Sequence, residues 1–282
     1  MHGFTQYTPT RIIFGKETQK QAGELAKSLK ASKVFVVYGG GSVVRSGLLD
    51  EVTASLEEAG LEYMTVGGVK PNPRLSFARE AVKKSIEFGT DFVLAVGGGS
   101  VIDGAKAASV LIEKETSIRK YHNTGEKVPK KHLPLIAIPT TAGTGSEVTN
   151  VSVLTNRNQG IKAPIASESF YPQYAIVDPT LTWSMPADLT ASAGIDVLSH
   201  AVEGYWSRLH QPICDVLAVY AAKLVLTNIR TVYKDSNNQA AREKMAAASL
   251  IAGLAFGQPK TTASHACSFP LTNLYHIPHG EA

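Results

Sequence analysis

The chain has 282 residues, of which 44% are hydrophobic and 18% are charged, and it carries a formal net charge of +4. This is the composition of an ordinary soluble protein, and the length predicts two domains with cores of their own. The basic residues are scattered and form no stripe, so the composition argues against a nucleic-acid-binding protein.

The two cysteines, Cys214 and Cys267, show neither CxxC spacing nor the density of a disulfide-stapled secreted protein. We therefore expect a reducing, cytoplasmic setting. The first residues lack the features of a signal peptide, and no stretch reaches the roughly 18 continuous apolar residues that a membrane span needs. The sequence predicts no membrane association.

The first half of the chain alternates short apolar runs with helical patterns, which predicts an α/β domain with a doubly wound parallel sheet. Apolar runs at 33–38, 61–66, 91–96 and 135–139 indicate buried strands. Helical spacing follows the first of these runs and recurs from about 75 to 88.

From Pro186 onward the sequence is rich in Ala and Leu, and helical spacing covers 189–206, 215–229 and 242–256. This half is predicted to be an all-α domain. Pro179 and Pro186 interrupt the chain near the change of pattern. The predicted domains are therefore 1–180 and 181–282.

A glycine-rich turn follows the third predicted strand and opens a helix; it consists of Gly97, Gly98, Gly99 and Ser100. Backbone N–H groups in such a turn can approach a pyrophosphate, and the helix N-terminus adds favourable partial charge. The spacing is neither that of a P-loop, because Ala105 stands where Lys is required, nor that of a GxGxxG fingerprint. The alternative is a tight turn without a ligand.

A second loop follows the fourth predicted strand and offers the hydroxyls of Thr140, Thr141 and Thr144. Such hydroxyls can bond ribose and phosphate oxygens, although a simple Ser/Thr-rich turn is the alternative. Two loops that can bind anions, both at strand ends of one sheet, favour a dinucleotide-binding crevice.

The residues after the first strand bear on which dinucleotide is used. A carboxylate there would bond the adenosine ribose 2′-OH and repel a 2′-phosphate. This position instead holds Gly39, Gly40, Gly41 and Ser42. The sequence therefore favours NADP(H) over NAD(H).

Asp196 and His200 are four residues apart on a predicted helix and share one face. A carboxylate and an imidazole so placed can bind a divalent ion, and a simple Asp–His hydrogen bond is the alternative. Glu203 lies on the same face, where it can orient His200.

His265 and His279 lie in otherwise apolar sequence and can complete an Asp-His-His-His set, with His276 as a rival for the fourth position. The remaining histidines have polar neighbours and are predicted to lie on the surface: His2, His122, His132 and His210.

Taken together, these motifs resemble the iron-containing (group III) alcohol dehydrogenase family. The matching segments are 9–15, 97–103, 139–147, 194–196 and 278–280. The resemblance implies a dehydroquinate synthase-like fold, an N-terminal dinucleotide-binding domain and a helical metal domain. The tri-glycine end of the first predicted strand resembles the NADPH-linked butanol and aldehyde reductase branch.

The resemblance also implies functional residues and assembly. It implies metal ligation by Asp196, His200, His265 and His279, and a homo-oligomer. It implies cofactor contacts at Asn72, Gly98, Gly99, Ser100, Asp103, Thr140, Thr141, Thr144, Thr149 and Lys162.

The sequence departs from the family pattern at two places. Phe269 stands where many members carry a histidine, so proton relay must use another group or water. The surrounding segment, 268–272, resembles a subgroup that includes phosphonoacetaldehyde reductases. The chain also stops shortly after His279, which suggests a C-terminally short enzyme.

We expect a small aldehyde or primary alcohol as substrate, hydride transfer with the nicotinamide, and Fe²⁺ or Zn²⁺ as a Lewis acid. Phosphonoacetaldehyde reductase, polyol or glycerol dehydrogenase and dehydroquinate-synthase-like activities are the enzymatic alternatives. A truncated, inactive dinucleotide- or metal-binding protein is the non-enzymatic alternative.

Overall fold

A computed structural model of the chain describes residues 3–70, 72–73, 75–114 and 117–282, apart from the side chains of 75–81 and 114. The described residues fall into two compact units. The α/β unit comprises Thr10–Thr140 and Asn150–Asp178. The helical unit comprises 3–9, Thr141–Thr149 and Pro179–Ala282. The predicted fold class is confirmed, whereas the single domain boundary after residue 180 stays a prediction.

The α/β unit contains all of the strands found among the described residues. They are β1 (Arg11–Phe14), β2 (Lys33–Tyr38), β3 (Glu62–Val66), β4 (Phe92–Gly97), β5 (Leu135–Pro139), β6 (Val151–Asn156), β7 (Ile161–Ala166) and β8 (Tyr174–Val177). Its helices are α1 (Ala22–Ser28), α2 (Gly41–Arg45), α3 (Leu48–Glu58), α4 (Leu75–Phe88) and α5 (Gly99–Lys114). Its 3₁₀ turns are Thr18–Gln21, Ile118–Lys120 and Glu168–Phe170.

Six strands form one parallel sheet in the order β1-β8-β5-β4-β2-β3. The chain runs from β2 to β3 on one side and then crosses to β4 on the other. The carboxyl ends of β2 and β4 therefore flank a topological switch point, where open α/β sheets bind ligands. β4 is buried along its whole length, as expected for a central parallel strand.

Four strands were not among the predictions. β1 and β8 pair in parallel at one edge of the sheet, and β6 and β7 form a separate antiparallel hairpin. β1 is largely exposed, and its apolar run of Ile12, Ile13 and Phe14 is shorter than those by which the central strands were found.

The helical unit is built from α6 (Ala187–Trp206), α7 (Pro212–Lys234), α8 (Gln239–Phe256) and α9 (Ala263–Tyr275). Its 3₁₀ turns are Ser146–Val148, Pro179–Thr182 and His279–Glu281. The core between α6, α7 and α8 is rich in alanine. Small residues also allow close backbone approach, since a β-carbon on Gly253 would lie 2.8 Å from the carbonyl oxygen of Gly145.

Within the described residues, α7 is the one helix long and apolar enough to cross a membrane by length and composition. Core helices of soluble proteins meet the same criterion. Ala218, Ala221 and Val225 of α7 are buried in the core shared with α6 and α8. Burial in that core accounts for one apolar face of the helix.

Candidate active site

The helix α6 carries the first two predicted ligands one turn apart. Both side chains are buried, and the Asp196 Oδ1 to His200 Nδ1 distance is 3.8 Å. The His200 ring stacks on Phe256 of α8 with 4.2 Å between centroids. His200 Nδ1 is buried. The stacking fixes the plane of the ring, and a backbone hydrogen bond with Gly143 also acts on the His200 imidazole.

His265 reaches the same place from the first turn of α9. Its Nε2 atom lies 3.5 Å from Asp196 Oδ1 and 3.0 Å from His200 Nε2. Its Nδ1 atom lies 2.5 Å from Oε2 of Glu203. Because Nδ1 faces a carboxylate, the Nε2 atom is the one left to face Asp196 and His200.

His279 begins the 3₁₀ turn His279–Glu281, and its Nε2 lies 3.9 Å from Asp196 Oδ1. The Ser268 hydroxyl donates to the His265 carbonyl and lies 3.3 Å from His279 Nδ1. Because that proton is already used, Ser268 accepts from Nδ1–H and leaves Nε2 facing Asp196. A β-carbon on Gly280 would overlap the Ser192 carbonyl oxygen of α6, so glycine lets this turn pack against the helix.

Asp196, His265 and His279 each present one ligand atom, and these atoms all lie within 4.8 Å of one another. His200 adjoins the group through its contact with His265. Nitrogen and oxygen lone pairs converging in a buried space repel one another unless they share a proton or a cation. The donor set of one carboxylate and three imidazoles fits a divalent ion such as Fe²⁺ or Zn²⁺.

The protonation states of Asp196 and His200 agree with roles as metal ligands, whereas Asp196 and Glu203 outweigh burial and raise the pKa of His265. Burial raises the pKa of Asp196, but His200, His265 and His279 outweigh burial and lower that pKa to about 2. Burial lowers the pKa of His200 to about 4. At neutral pH the carboxylate is therefore ionised and His200 is neutral with a lone pair, which are the forms that bind metals.

Glu203 occupies a different role from the one expected. The sequence suggested that it orients His200, whereas its carboxylate bonds His265 and the start of α9. Burial raises the pKa of Glu203, but backbone hydrogen bonds and His265 outweigh it, so the pKa lies below its usual value. The partner could not be read from the sequence because Glu203 and His265 are 62 residues apart.

Of the other histidines, His276 is exposed in a left-handed conformation at the end of α9 and lies outside the group of potential ligands found among the described residues. His122 was expected on the surface, but it is buried and its Nε2–H donates to the Leu154 carbonyl. His132 is partly buried, and His210 is exposed beside Asp215. His2 lies outside the described residues.

The α/β unit brings most of the predicted cofactor residues to one edge of its sheet. Loops at the carboxyl ends of β2, β4 and β5 carry Gly39, Gly40, Gly41, Ser42, Gly97, Gly98, Gly99, Ser100 and Thr140. The Thr140 N–H donates to the Gly97 carbonyl, and the Asn72 N–H donates to Ser100 Oγ. These bonds hold the loops next to one another at the switch point.

The remaining predicted cofactor residues belong to other elements of the chain. The Asp103 carboxylate accepts the Val153 N–H at 2.9 Å, so it ties α5 to β6. Lys162 lies on β7 opposite Thr155. The last three belong to the helical unit: Thr141, Thr144 and Thr149.

Comparison with known proteins decides the family. Residues 9–179 match the profile of "Iron-containing alcohol dehydrogenase", and 190–282 match "Fe-containing alcohol dehydrogenase family, C-terminal". The chain belongs to the iron-containing alcohol dehydrogenase family. It is therefore an NAD(P)-dependent oxidoreductase of the alcohol and aldehyde class, as its motifs implied.

Individual members of the family are similar to this chain over almost its whole length. Sulfoacetaldehyde reductase of Bilophila wadsworthia (strain 3_1_6) is 38% identical over 279 residues, which cover 99% of this chain and 72% of that protein. NADPH-dependent butanol dehydrogenase of Clostridium saccharobutylicum is 36% identical over 274 residues, covering 96% and 69%. A crystal structure of sulfoacetaldehyde reductase from Bifidobacterium kashiwanohense in complex with NAD+ is 46% identical, with a TM-score of 0.94 and coverage of 100% and 74%.

Replacing His265 with alanine removes a direct ligand of the proposed metal ion. Loss of a residue that only supports a ligand lowers metal affinity by roughly 10–100-fold, so His265→Ala should lower zinc affinity by more than that. Zinc competition against a chelator of known affinity measures this. His276→Ala, an exposed histidine on the same segment, is the matched control and should bind as the unmodified chain does. Equal affinity of His265→Ala and the control would contradict the ligand assignment.

Proposed function

We propose that the chain reduces a short aldehyde to a primary alcohol with NADPH, at a divalent ion held by Asp196, His200, His265 and His279. The observation that carries this proposal is the convergence of three of these groups within 4.8 Å, with His200 against His265. Fe²⁺ and Zn²⁺ both suit the donor set. When bound, such an ion supplies Lewis acidity toward a carbonyl oxygen.

The protein's own residues would orient the substrate and exclude water. The His279 side chain is 28% exposed, whereas those of Asp196, His200 and His265 are below 10%, so the site opens on the His279 side. The Phe269 ring lies 5.9 Å from the His279 ring at this opening. Phe269 has no titratable group, so the proton that completes the alcohol would come from water or another residue.

We further propose that the preferred aldehyde carries a sulfonate or phosphonate group. Support comes from the 38% and 46% identity to two sulfoacetaldehyde reductases and from the segment 268–272. An acid-bearing substrate needs a positive charge near the site. Lys260 is partly buried in the loop between Phe256 and Thr262. Both ends of this loop contact residues of the site, since Phe256 stacks on His200 and Thr262 donates a hydrogen bond to Glu203.

Lys260 suits the role of anion partner. It adopts a left-handed backbone conformation with φ of 70°, and its Nζ donates to the Gly257 carbonyl at 2.7 Å. Burial lowers the pKa of its ammonium group, so an anion nearby would replace part of the lost solvation. The alternative substrate is an uncharged short aldehyde, which the likeness to butanol and 1,3-propanediol dehydrogenases favours.

The proposal is tested by NADPH oxidation with zinc- or iron-loaded chain against sulfoacetaldehyde, phosphonoacetaldehyde and butanal. We expect metal-dependent turnover and a kcat/KM for an acid-bearing aldehyde about tenfold or more above that for butanal, a difference of about 1.4 kcal/mol in transition-state binding. NADPH binding without turnover would contradict the enzymatic proposal, and a preference for butanal would select the uncharged alternative.

Lys260→Met should lower kcat/KM for the acid-bearing aldehyde by about tenfold or more and leave butanal within about twofold, because only the charged substrate loses a partner. The matched control is Lys244→Met, which removes an exposed lysine from α8. An equal loss on both aldehydes would show that Lys260 acts only on the structure of its loop.

The proposed preference for NADP(H) rests on the end of β2. No carboxylate lies between Gly39 and Arg45, and a β-carbon on Gly41 would overlap the Arg45 guanidinium. An arginine beside the end of this strand can pair with a 2′-phosphate. The likeness to a structure that contains NAD+ supports the broader NAD(P) class.

Arg45→Ala should raise the KM for NADPH by about tenfold and leave the KM for NADH unchanged, because only NADPH carries the 2′-phosphate. Steady-state kinetics with each nucleotide measures this change. Lys30→Ala, which removes an exposed lysine from the same unit, is the control. Unchanged discrimination in Arg45→Ala would contradict the cofactor proposal.

We also propose a cytoplasmic homo-oligomer. Cys214 and Cys267 are both free thiols, which suits a reducing compartment. Large apolar side chains are exposed on α7, among them Val216 at 70% and Val219 at 57%. Apolar surface of this kind favours association with another copy of the chain.

A further inference from the structure

Glu203 is a fully buried carboxylate that lies three residues after His200 on α6. Its two oxygens have different partners. Oε1 accepts the Ser264 N–H at 2.6 Å, the His265 N–H at 3.3 Å and the Thr262 hydroxyl at 3.2 Å. Oε2 lies 2.5 Å from His265 Nδ1. One carboxylate therefore contacts both the first residues of α9 and the ring that α9 carries.

The Oε1 contacts are those of a helix cap. The first N–H groups of a helix have no partner within the helix, and a negative charge at that end is favourable. Glu203 supplies both from a neighbouring helix. These contacts alone would explain why a carboxylate is buried here.

The Oε2 contact with the His265 ring is not needed to cap the helix. An ionised carboxylate only accepts hydrogen bonds, so the His265 nitrogen that faces it, Nδ1, carries a proton. In the neutral ring Nε2 then has a lone pair, and it is Nε2 that faces Asp196 and His200 at 3.5 and 3.0 Å. The choice of tautomer decides whether His265 can be a metal ligand.

We propose that Glu203 is a positioning residue that holds His265 in the Nδ1–H tautomer and so keeps its Nε2 available to the metal. This inference rests on the proposed metal site. It assigns to Glu203 a role that acts through His265, in addition to capping α9.

Glu203→Gln separates the two roles because it keeps the size of the side chain. The amide oxygen must still accept the three donors at the start of α9, so the amide NH₂ group takes the place of Oε2. An NH₂ group donates, so Nδ1 of His265 must accept and the proton moves to Nε2. The cap is retained, while a proton on Nε2 prevents that nitrogen from binding the metal. Replacing the aspartate of a catalytic triad with asparagine changes the tautomer of its histidine in the same way.

The matched control weakens the cap without touching the contact between Glu203 and the His265 ring. Thr262→Val removes the hydroxyl that donates to Oε1, together with the acceptor for the Trp206 indole N–H, and leaves the Oε2 contact in place. It should lower the melting temperature of the metal-free chain without changing the tautomer of His265.

The experiment uses the whole 282-residue chain with ¹⁵N-labelled histidine. Long-range ¹H–¹⁵N correlation spectra of the metal-free protein identify the tautomer of His265, and competition with a chelator gives zinc affinity. We expect the Nδ1–H form in the unmodified chain and the Nε2–H form in Glu203→Gln. Zinc affinity should fall by about 10–100-fold in Glu203→Gln and stay within about threefold in Thr262→Val.

Two results would overturn the proposal. One is an unchanged His265 tautomer in Glu203→Gln, and the other is an equal loss of zinc affinity in both variants, which would leave capping as the whole role. The tautomer is read without metal. Failure of the unmodified chain to bind zinc would therefore count against the metal site itself and stay distinguishable from failure of the Glu203 proposal.

Discussion

The convergence of three imidazole rings on the buried carboxylate of Asp196 is the constraint on which the rest of the site depends. A buried carboxylate held ionised by three imidazoles is stable only if a proton or a cation is shared among them. Each imidazole is in turn oriented by a neighbour, and the neighbours are Phe256 for His200, Glu203 for His265 and Ser268 for His279. The site is thus a set of ligands with their supports, all within the helical unit.

Backbone packing in the helical unit makes this convergence possible. Gly280 lets the turn that carries His279 approach α6, and the side chains of Ile229 and Met245 fill the space beside Gly194. Small residues at such contacts cannot be enlarged without moving a ligand. In the α/β unit, Gly97 also has no room for a side chain, because a β-carbon there would clash with Val101 at the start of α5.

The sequence predicted the parts of this architecture that have a local signature. The central strands β2 and β5 appeared as continuous apolar runs, and α4 and α8 as helical spacing ending near the observed residues. The strands β1 and β8 are only four residues long, β6 and β7 lack a continuous apolar run, and all four were missed. The i,i+4 spacing of Asp196 and His200 placed them on one face. The partner of Glu203 and the burial of His122 depend on tertiary contacts that no local pattern contains.

We infer that Asp196, His200, His265 and His279 hold a divalent ion. Crystals of the chain grown with zinc, with anomalous diffraction collected on both sides of the zinc absorption edge, test it directly. We predict a zinc peak bounded by Asp196 Oδ1 and the Nε2 atoms of His265 and His279, with His200 completing the set. Zinc at another position, or no zinc peak with His265 Nε2 still facing Asp196 Oδ1, would contradict this assignment.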